Sequence, residues 1–203
     1  MVNYILLSVL AYFSGSIPSG VWIGKTFKGI DIRTVGSKNS GATNAYRNLG
    51  AGLGILTLLS DVLKGYLPLM IASYMEISDK YIVVIGLIAI LGHTFSCFLN
   101  FKGGKGVATS LGVFLFLAPQ AVGVAVLGFL IVVFATRYVS LSSMVASVIL
   151  PIMVMLFPAK AGVDKSVLSG LSIFIGAFVI YKHKANISRL LNGVESKIQI
   201  GKK

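Results

Sequence analysis

The sequence predicts an all-α integral membrane protein, a compact bundle of seven transmembrane helices with its N-terminus outside and its C-terminus in the cytoplasm. Three observations carry that expectation. The composition is 56% hydrophobic and only 12% charged, with a mean hydropathy of +0.89 over 203 residues, which lies outside the range of soluble domains. The apolar runs approach the roughly 20 residues that a helix needs to cross a bilayer, and they leave no room for a soluble domain. The basic residues, which give a formal net charge of +12, gather in a few loops. Residues 1–203 are therefore read as one transmembrane domain with a basic cytoplasmic tail over 190–203.

The first apolar run, residues 4–24, has no Lys or Arg before it, as a secretory signal would require, so a retained helix is expected. The second, 51–75, contains Asp61 and Lys64 at i and i+3. Either one alone would cost roughly 2.5–3.5 kcal/mol at the bilayer centre, so a mutual ion pair outside the functional site is expected. In the third, 81–99, His93 is expected to brace the following loop by hydrogen bonding, and the lone Cys97 to pack as a small apolar side chain. Residues 106–136 carry no charge and exceed one ordinary span. Pro119 marks the break, giving a fourth helix at 106–118 and a fifth at 119–136. The sixth, 139–157, has Ser140 and Ser143 in its first turns, after Arg137; the seventh, 166–182, runs into the basic segment that starts at Lys182.

Seven spans put the 24–50 loop, the 100–105 loop, Arg137 and the tail on one side, which then holds fourteen of the eighteen Lys and Arg residues. The positive-inside rule makes that side cytoplasmic. A single span over 106–136 would carry the basic tail outside, against the rule. For Lys197, Lys202 and Lys203, topology and attraction to anionic lipid account for the charge. Arg47 and Lys105 sit among Gly, Asn, Ser and Thr instead of in a basic run, and these two call for an anionic partner.

Three polar stretches face the cytoplasm together. In NFKGGKGVATS at 100–110, the residues Gly103, Gly104, Lys105 and Gly106 precede an apolar helix whose N-terminal amides and positive dipole end point to the cytoplasm. Glycines allow close approach of backbone to an oxyanion, and Lys105 adds a mobile charge, so the segment suits a phosphate. It lacks the Walker spacing, which disfavours a nucleotide. The alternative is a glycine hinge between helices. In GSKNSGATNAYRNLG at 36–50, Ser37, Asn39, Ser40, Thr43 and Asn44 surround Gly41 with short polar groups, and Arg47 offers a bidentate grip, which fits a second anion or a polyol. A turn-rich loop with an N-cap is the purely local alternative. In YKHKANISRLLNGVES at 181–196, helical spacing places His183, Asn186 and Arg189 at i, i+3 and i+6, and Asn192-Gly193 offers a stop before Glu195. His183 is either a hydrogen-bonding residue or a proton acceptor, and Ser140 and Ser143 either join the same pocket or cap their helix.

Other chemistries find little support. The six acidic residues are scattered, and no His or Cys cluster offers a metal-ligand set, so neither a metal nor another cofactor is expected. There is no G-x-S-x-G elbow, and neither histidine has an Asp four residues on, which leaves no covalent nucleophile or acyltransferase dyad. Short cytoplasmic loops of a membrane bundle do not suit nucleic acid. A membrane anion or phosphate transporter is the competing class, although the chain shows no internal repeat or paired broken helices.

The blocks GSKNSGATNAYRNLG, GH…FKGGKGVATS beginning at Gly92, and HKANISRLLNGVE from His183 resemble, in the family's order, the three cytoplasmic motifs of the bacterial PlsY family, the acyl-phosphate:glycerol-3-phosphate acyltransferases. SDVLKG at 60–65 and RYVSLSS at 137–143 are similar to the family as well. The departures are Lys38 where Gly is expected, Lys184 for Arg and Val194 for Thr. The resemblance implies a seven-helix enzyme of the bacterial inner membrane that moves a fatty acyl group from acyl phosphate to the sn-1 hydroxyl of glycerol 3-phosphate, giving lysophosphatidic acid and phosphate, the first acylation of phospholipid synthesis. It assigns Gly103, Gly104, Lys105 and Gly106 to phosphate binding and to carbonyl or leaving-group stabilisation. It gives the polar substrate groups to Ser37, Asn39, Gly41, Thr43, Asn44 and Arg47, and completes the pocket with Ser143, His183, Asn186 and Glu195. Lys105, His183, Arg47 and Ser143 are the implied catalytic set, with His183 or a substrate phosphate oxygen as the base. Membrane lipid and the acyl-phosphate-forming enzyme are the implied partners.

Overall fold

The computed structural model describes residues 2–199; Lys202 and Lys203 of the basic tail lie outside the described residues. The elements in order are α1 (Val2–Ser16), α2 (Ser19–Lys28), α3 (Ala42–Leu49), α4 (Ala51–Tyr74), α5 (Asp79–Thr94), a 3₁₀ turn at Cys97–Leu99, α6 (Val107–Leu117), α7 (Pro119–Thr136), α8 (Val139–Leu156), α9 (Lys165–Lys182) and α10 (Lys184–Leu191). No strand occurs among the described residues. Among the described residues, five helices are long and apolar enough to cross a membrane: α4, α5 with its 3₁₀ turn, α7, α8 and α9. A sixth is obtained if α1 and α2, bent by 44°, are one span; the eleven-residue α6 is a shorter apolar helix.

Two expectations change. The first run is not one helix over 4–24: Pro18 has no N–H to continue the ladder, so α1 stops at Ser16 and α2 leaves at an angle, running on to a left-handed stop at Gly29 (φ 66°). The first polar stretch is not all loop, because its second half forms α3. Elsewhere the boundaries fall close to the expected ones. Pro119 opens α7 at a position where a missing N–H costs nothing, and Asp164 caps α9 by accepting from the Ser166 and Val167 amides.

The described chain forms two compact units, divided after Leu117. In the first, α4 meets α6 through glycines: a Cβ on Gly65 would overlap the Thr109 carbonyl oxygen, and one on Gly112 would overlap that of Val62. Small residues at such crossings let backbones touch, the packing available to helices that gain no hydrophobic drive from lipid. Beside this contact Leu69, Ile85, Val113 and Phe114 are fully buried. We predict that Gly65→Val lowers the melting temperature in detergent, because overpacking of a tight crossing costs about 1–3 kcal/mol, whereas Gly52→Val, which meets nothing within 4 Å, leaves it near wild type. In the second unit α8 packs on both α7 and α9, and Gly176 faces the Ser147 carbonyl at a distance that leaves no room for a Cβ.

Candidate functional site

The first polar stretch is held open from within. Asn44, buried on α3, donates from Nδ2 to the carbonyls of Ile32 (2.6 Å), Asn39 (2.9 Å) and Val35 (3.2 Å), and accepts on Oδ1 from the Ser37 amide (2.9 Å) and from Asn48 Nδ2 (2.9 Å). Its amide thus binds the loop together from within. Asn39 likewise turns its Oδ1 to the Gly41 amide at 3.0 Å. Lys38 has φ 57°, the left-handed region that favours glycine, which gives the physical reason why glycine is the expected residue there. Asp31 binds Arg33 (Nε 2.9 Å, Nη2 2.6 Å) and lies 3.4 Å from Lys25; the Arg33 hydrogen bond holds its carboxyl far below the usual range. Val21, Ile32, Ala45, Leu49 and Leu99 form a small apolar core that fixes α3 to α2 and to the 3₁₀ turn. On α3, Thr43 and Arg47 fall one turn apart and half-buried, while Ser37 is exposed at the loop's edge.

The second stretch is anchored to the end of α5. The Gly103 amide donates to Thr94 O (3.0 Å) and the Gly104 amide to His93 O (3.1 Å). These two amides are thus already paired with carbonyls at the end of α5. The donors that remain are at the start of α6, where helix geometry leaves the amides of Val107, Ala108 and Thr109 without an intrahelical acceptor. Gly106, with φ 84°, accepts the first helical bond from Ser110 N (2.8 Å) and aims that turn. Three buried hydroxyls, Thr94 Oγ1, Thr109 Oγ1 and Ser110 Oγ, have no hydrogen-bond partner among the described residues; those of Thr94 and Ser110 lie 3.3 and 3.9 Å from where a Gly106 Cβ would be. Unsatisfied buried hydroxyls beside a helix N-terminus are chemistry for a polar ligand. Sequence reasoning missed them, although Thr109 and Ser110 belong to the VATS that ends the motif.

Asp61 and Lys64 pair at 2.8 Å as expected. With Ser19, Ser40, His93 and Ser96 they line one polar pocket. Lys64 Nζ also donates to Ile17 O (2.7 Å) at the α1–α2 break, and His93 Nδ1 lies 3.8 Å from Asp61 Oδ1. SDVLKG and the Gly92-His93 pair were the available signals.

In the second unit the third stretch folds at His183, which closes α9 and starts α10: its carbonyl accepts from the Asn186 (2.7 Å) and Ile187 (2.9 Å) amides. His183 is thus a junction and not the first residue of one continuous helical face. Its Nδ1 donates to Val179 O at 2.8 Å, since a carbonyl can only accept. Ser143 is buried in α8 with its hydroxyl donating to Val139 O (2.8 Å). The α10 stop at Gly193 (φ 68°) is as expected. It delivers Glu195 inward, where Oε1 accepts from Asn186 Nδ2 (2.7 Å) and Ser140 Oγ (2.8 Å) and Oε2 from Arg189 Nε (2.6 Å). Glu195 therefore holds Asn186 and the tail in place. Burial pushes its carboxyl up, but the hydrogen bonds from Asn186, Ser140 and Arg189 outweigh this and hold it below the ordinary 4.5.

A carboxyl with a depressed folded-state pKa stabilises the fold fully above its unfolded value and loses that contribution as pH falls through the folded one. The expected result is a Glu195→Gln variant with a lower melting temperature than wild type at neutral pH, the gap closing as pH drops below about 4.5. A gap that stays constant across the acid range would show that the charge is not what holds the tail.

Comparison with known proteins bears directly on this arrangement. Residues 5–193 match the family profile described as glycerol-3-phosphate acyltransferase. A glycerol-3-phosphate acyltransferase of Fusobacterium nucleatum is 58% identical over 191 residues, covering 94% of this chain and 96% of that protein. One from Geobacter sulfurreducens is 44% identical over 200 residues, 98% of this chain and all of its own length. Among solved structures, crystal structures of PlsY, an integral membrane glycerol 3-phosphate acyltransferase, superpose with TM-scores of 0.87 in its glycerol 3-phosphate form and 0.85 in its lysophosphatidic acid form, at 38% and 37% identity, each covering 97% of this chain and 96% of the other.

Proposed function

Because the chain belongs to the glycerol-3-phosphate acyltransferase family, as a multi-pass bacterial membrane protein of the PlsY type, we propose that its donor is acyl phosphate and its product lysophosphatidic acid. The observation that carries this reading is the start of α6: free helical amides, a Gly106 turned to φ 84° and unpartnered buried hydroxyls stand beside Lys105, a setting made for a phosphate that must leave. The sn-1 hydroxyl of glycerol 3-phosphate attacks the acyl carbonyl, the carbon–oxygen bond to phosphate breaks, and inorganic phosphate departs. Lys105 and the α6 amides neutralise charge as it builds on that phosphate. Arg47, with Thr43 and Ser37, takes the acceptor's phosphate; Asn39, Gly41 and Asn44 hold the shape of that loop. His183 Nε2 or a phosphate oxygen receives the hydroxyl proton. The family resemblance assigns Ser143 and Asn186, the latter fixed by Glu195, to the same reaction.

The donor is an activated mixed anhydride, so direct displacement needs no acyl-enzyme. An open apolar groove of about 350 Å³ between α8 and α9, lined by Val148, Pro151, Ile152, Met155 and Ile173, begins one turn from Ser143 and from His183 and suits the acyl chain. In this reading α1 with α2, α4, α5, α6, α7, α8 and α9 make seven spans, α6 being a short one, with the active site and C-terminus cytoplasmic. The residues form a single acyltransferase domain. The enzyme that forms its acyl phosphate is the expected partner.

The test is product formation by purified protein in detergent, with radiolabelled glycerol 3-phosphate and either acyl phosphate or an acyl thioester. Lysophosphatidic acid from acyl phosphate alone, unchanged after exhaustive chelation, is expected. Turnover only with the thioester would reverse the donor assignment. Label retained on the protein when acceptor is withheld, and then chased into product, would replace direct displacement by an acyl-enzyme.

A further inference from the structure

Behind the glycine loop stands a set of buried ionisable side chains that the substrate contacts above do not use. Among the neighbours of a Cβ placed on Gly104, the three nearest atoms all belong to the His93 ring: Nε2, which it would overlap, Cε1 at 2.8 Å and Cδ2 at 3.1 Å. The Gly104 backbone therefore rests on the imidazole itself. On the ring's other edge Nδ1 is 3.8 Å from Asp61 Oδ1, Asp61 pairs with Lys64 at 2.8 Å, and Lys64 reaches the Ile17 carbonyl at 2.7 Å. All three side chains are no more than 7% exposed. A buried ion pair is seldom more stable than apolar packing of the same volume, so packing alone does not explain charges at this depth. Nearby, Ser16 Oγ donates to Gly92 O (3.2 Å) and Ser96 Oγ to Ser16 O (2.5 Å), which tie α1 to both flanks of His93.

We propose that Asp61, Lys64 and His93 are positioning residues that set the height of the Gly103–Lys105 loop, His93 being the surface on which Gly104 sits and the Asp61–Lys64 pair its support. The inference rests on assigning that loop to the donor phosphate. Lys105 follows Gly104 directly, and a displacement of about 1 Å at a reacting group costs on the order of 10²-fold in rate. The network thus acts on catalysis through the loop and touches no substrate.

The experiment is a steric exchange. Gly104→Ala places a methyl against the imidazole and is expected to lower kcat/KM for acyl phosphate by about 10²-fold. His93→Ala costs less by itself, and adding it to Gly104→Ala is expected to restore roughly tenfold, because the vacated ring receives the methyl. Gly103→Ala is the control. Its Cβ would overlap the His93 carbonyl oxygen, which is backbone and survives the His93→Ala substitution, so no rescue is expected there. Rescue of both glycine variants, or of neither, overturns the proposal. For the support, the Asp61→Asn/Lys64→Met double variant removes both charges together and so leaves neither buried alone. It is expected to raise the acyl phosphate KM several-fold with the glycerol 3-phosphate KM unchanged; an unaltered donor KM in folded protein would remove the pair from the network. Melting temperatures of all variants follow the same pattern, rescue at Gly104 and none at Gly103. That readout stands even if the wild-type protein does not use acyl phosphate, an outcome that would defeat the donor assignment alone.

Discussion

Lys105→Ala lowers turnover by on the order of 10²-fold or more while the melting temperature in detergent stays near wild type. The expectation follows from how the side chain is delivered. The residues on either side are fixed: Gly104 donates to His93 O at 3.1 Å and Gly106 begins α6 with φ 84°. Lys105 is half-buried between them, at the N-terminal end of the helix. In the proposed reaction its ammonium and the helix amides meet the same departing phosphate, and the attraction grows as the acyl–oxygen bond breaks, so most of the loss is expected in kcat. Alanine keeps the backbone and removes the charge. Lys105→Arg keeps the charge but not its compact geometry, and an intermediate loss is expected. Turnover near wild type in well-folded Lys105→Ala would take the residue out of the reaction.

Arg47→Lys raises the KM for glycerol 3-phosphate by about ten- to a hundredfold, the loss of one charge-assisted hydrogen bond of a bidentate pair. The helix that carries Arg47 is pinned by Ala45 and Leu49 in the small core with Val21, Ile32 and Leu99, so the substitution changes the head group and not its mount. Lys25 and Arg33 are already drawn to Asp31 and do not replace it. Steady-state kinetics with each substrate varied in turn is the measurement. A raised donor KM with an unchanged acceptor KM would exchange the two anion sites.

The helices were legible where a single local cause sets them. Pro119 opens α7, Gly193 ends α10 and the charge-free run divides where expected. The break at Pro18 was equally available from the residue type and was hidden by the surrounding apolar pattern, because hydropathy does not register a missing N–H. In the site, the motif stretches and the cations Arg47 and Lys105 were evident from residues standing among glycine and small polar side chains. The division of labour within them was not. Asn44 and Asn39 look alike as donors of a polar pocket, but the first is consumed by Ile32, Val35, Asn39, Ser37 and Asn48. Glu195 stands apart in the sequence, and only the fold gives it Ser140, Asn186 and Arg189 as partners. Asp61 and Lys64 read as a private ion pair until His93 and Ile17 complete the set.

By itself the sequence determined that this chain lives in a membrane, which stretches resist lipid, and which residues are able to meet an anion. Those properties add up along the chain from side-chain chemistry. The tertiary structure decided which polar atoms remain for a ligand. A donor or acceptor has a small fixed capacity, and whether it is spent depends on partners that the fold brings in from elsewhere in the sequence: the carbonyls of His93 and Thr94 take the Gly104 and Gly103 amides, while Thr94, Thr109 and Ser110 keep hydroxyls without protein partners.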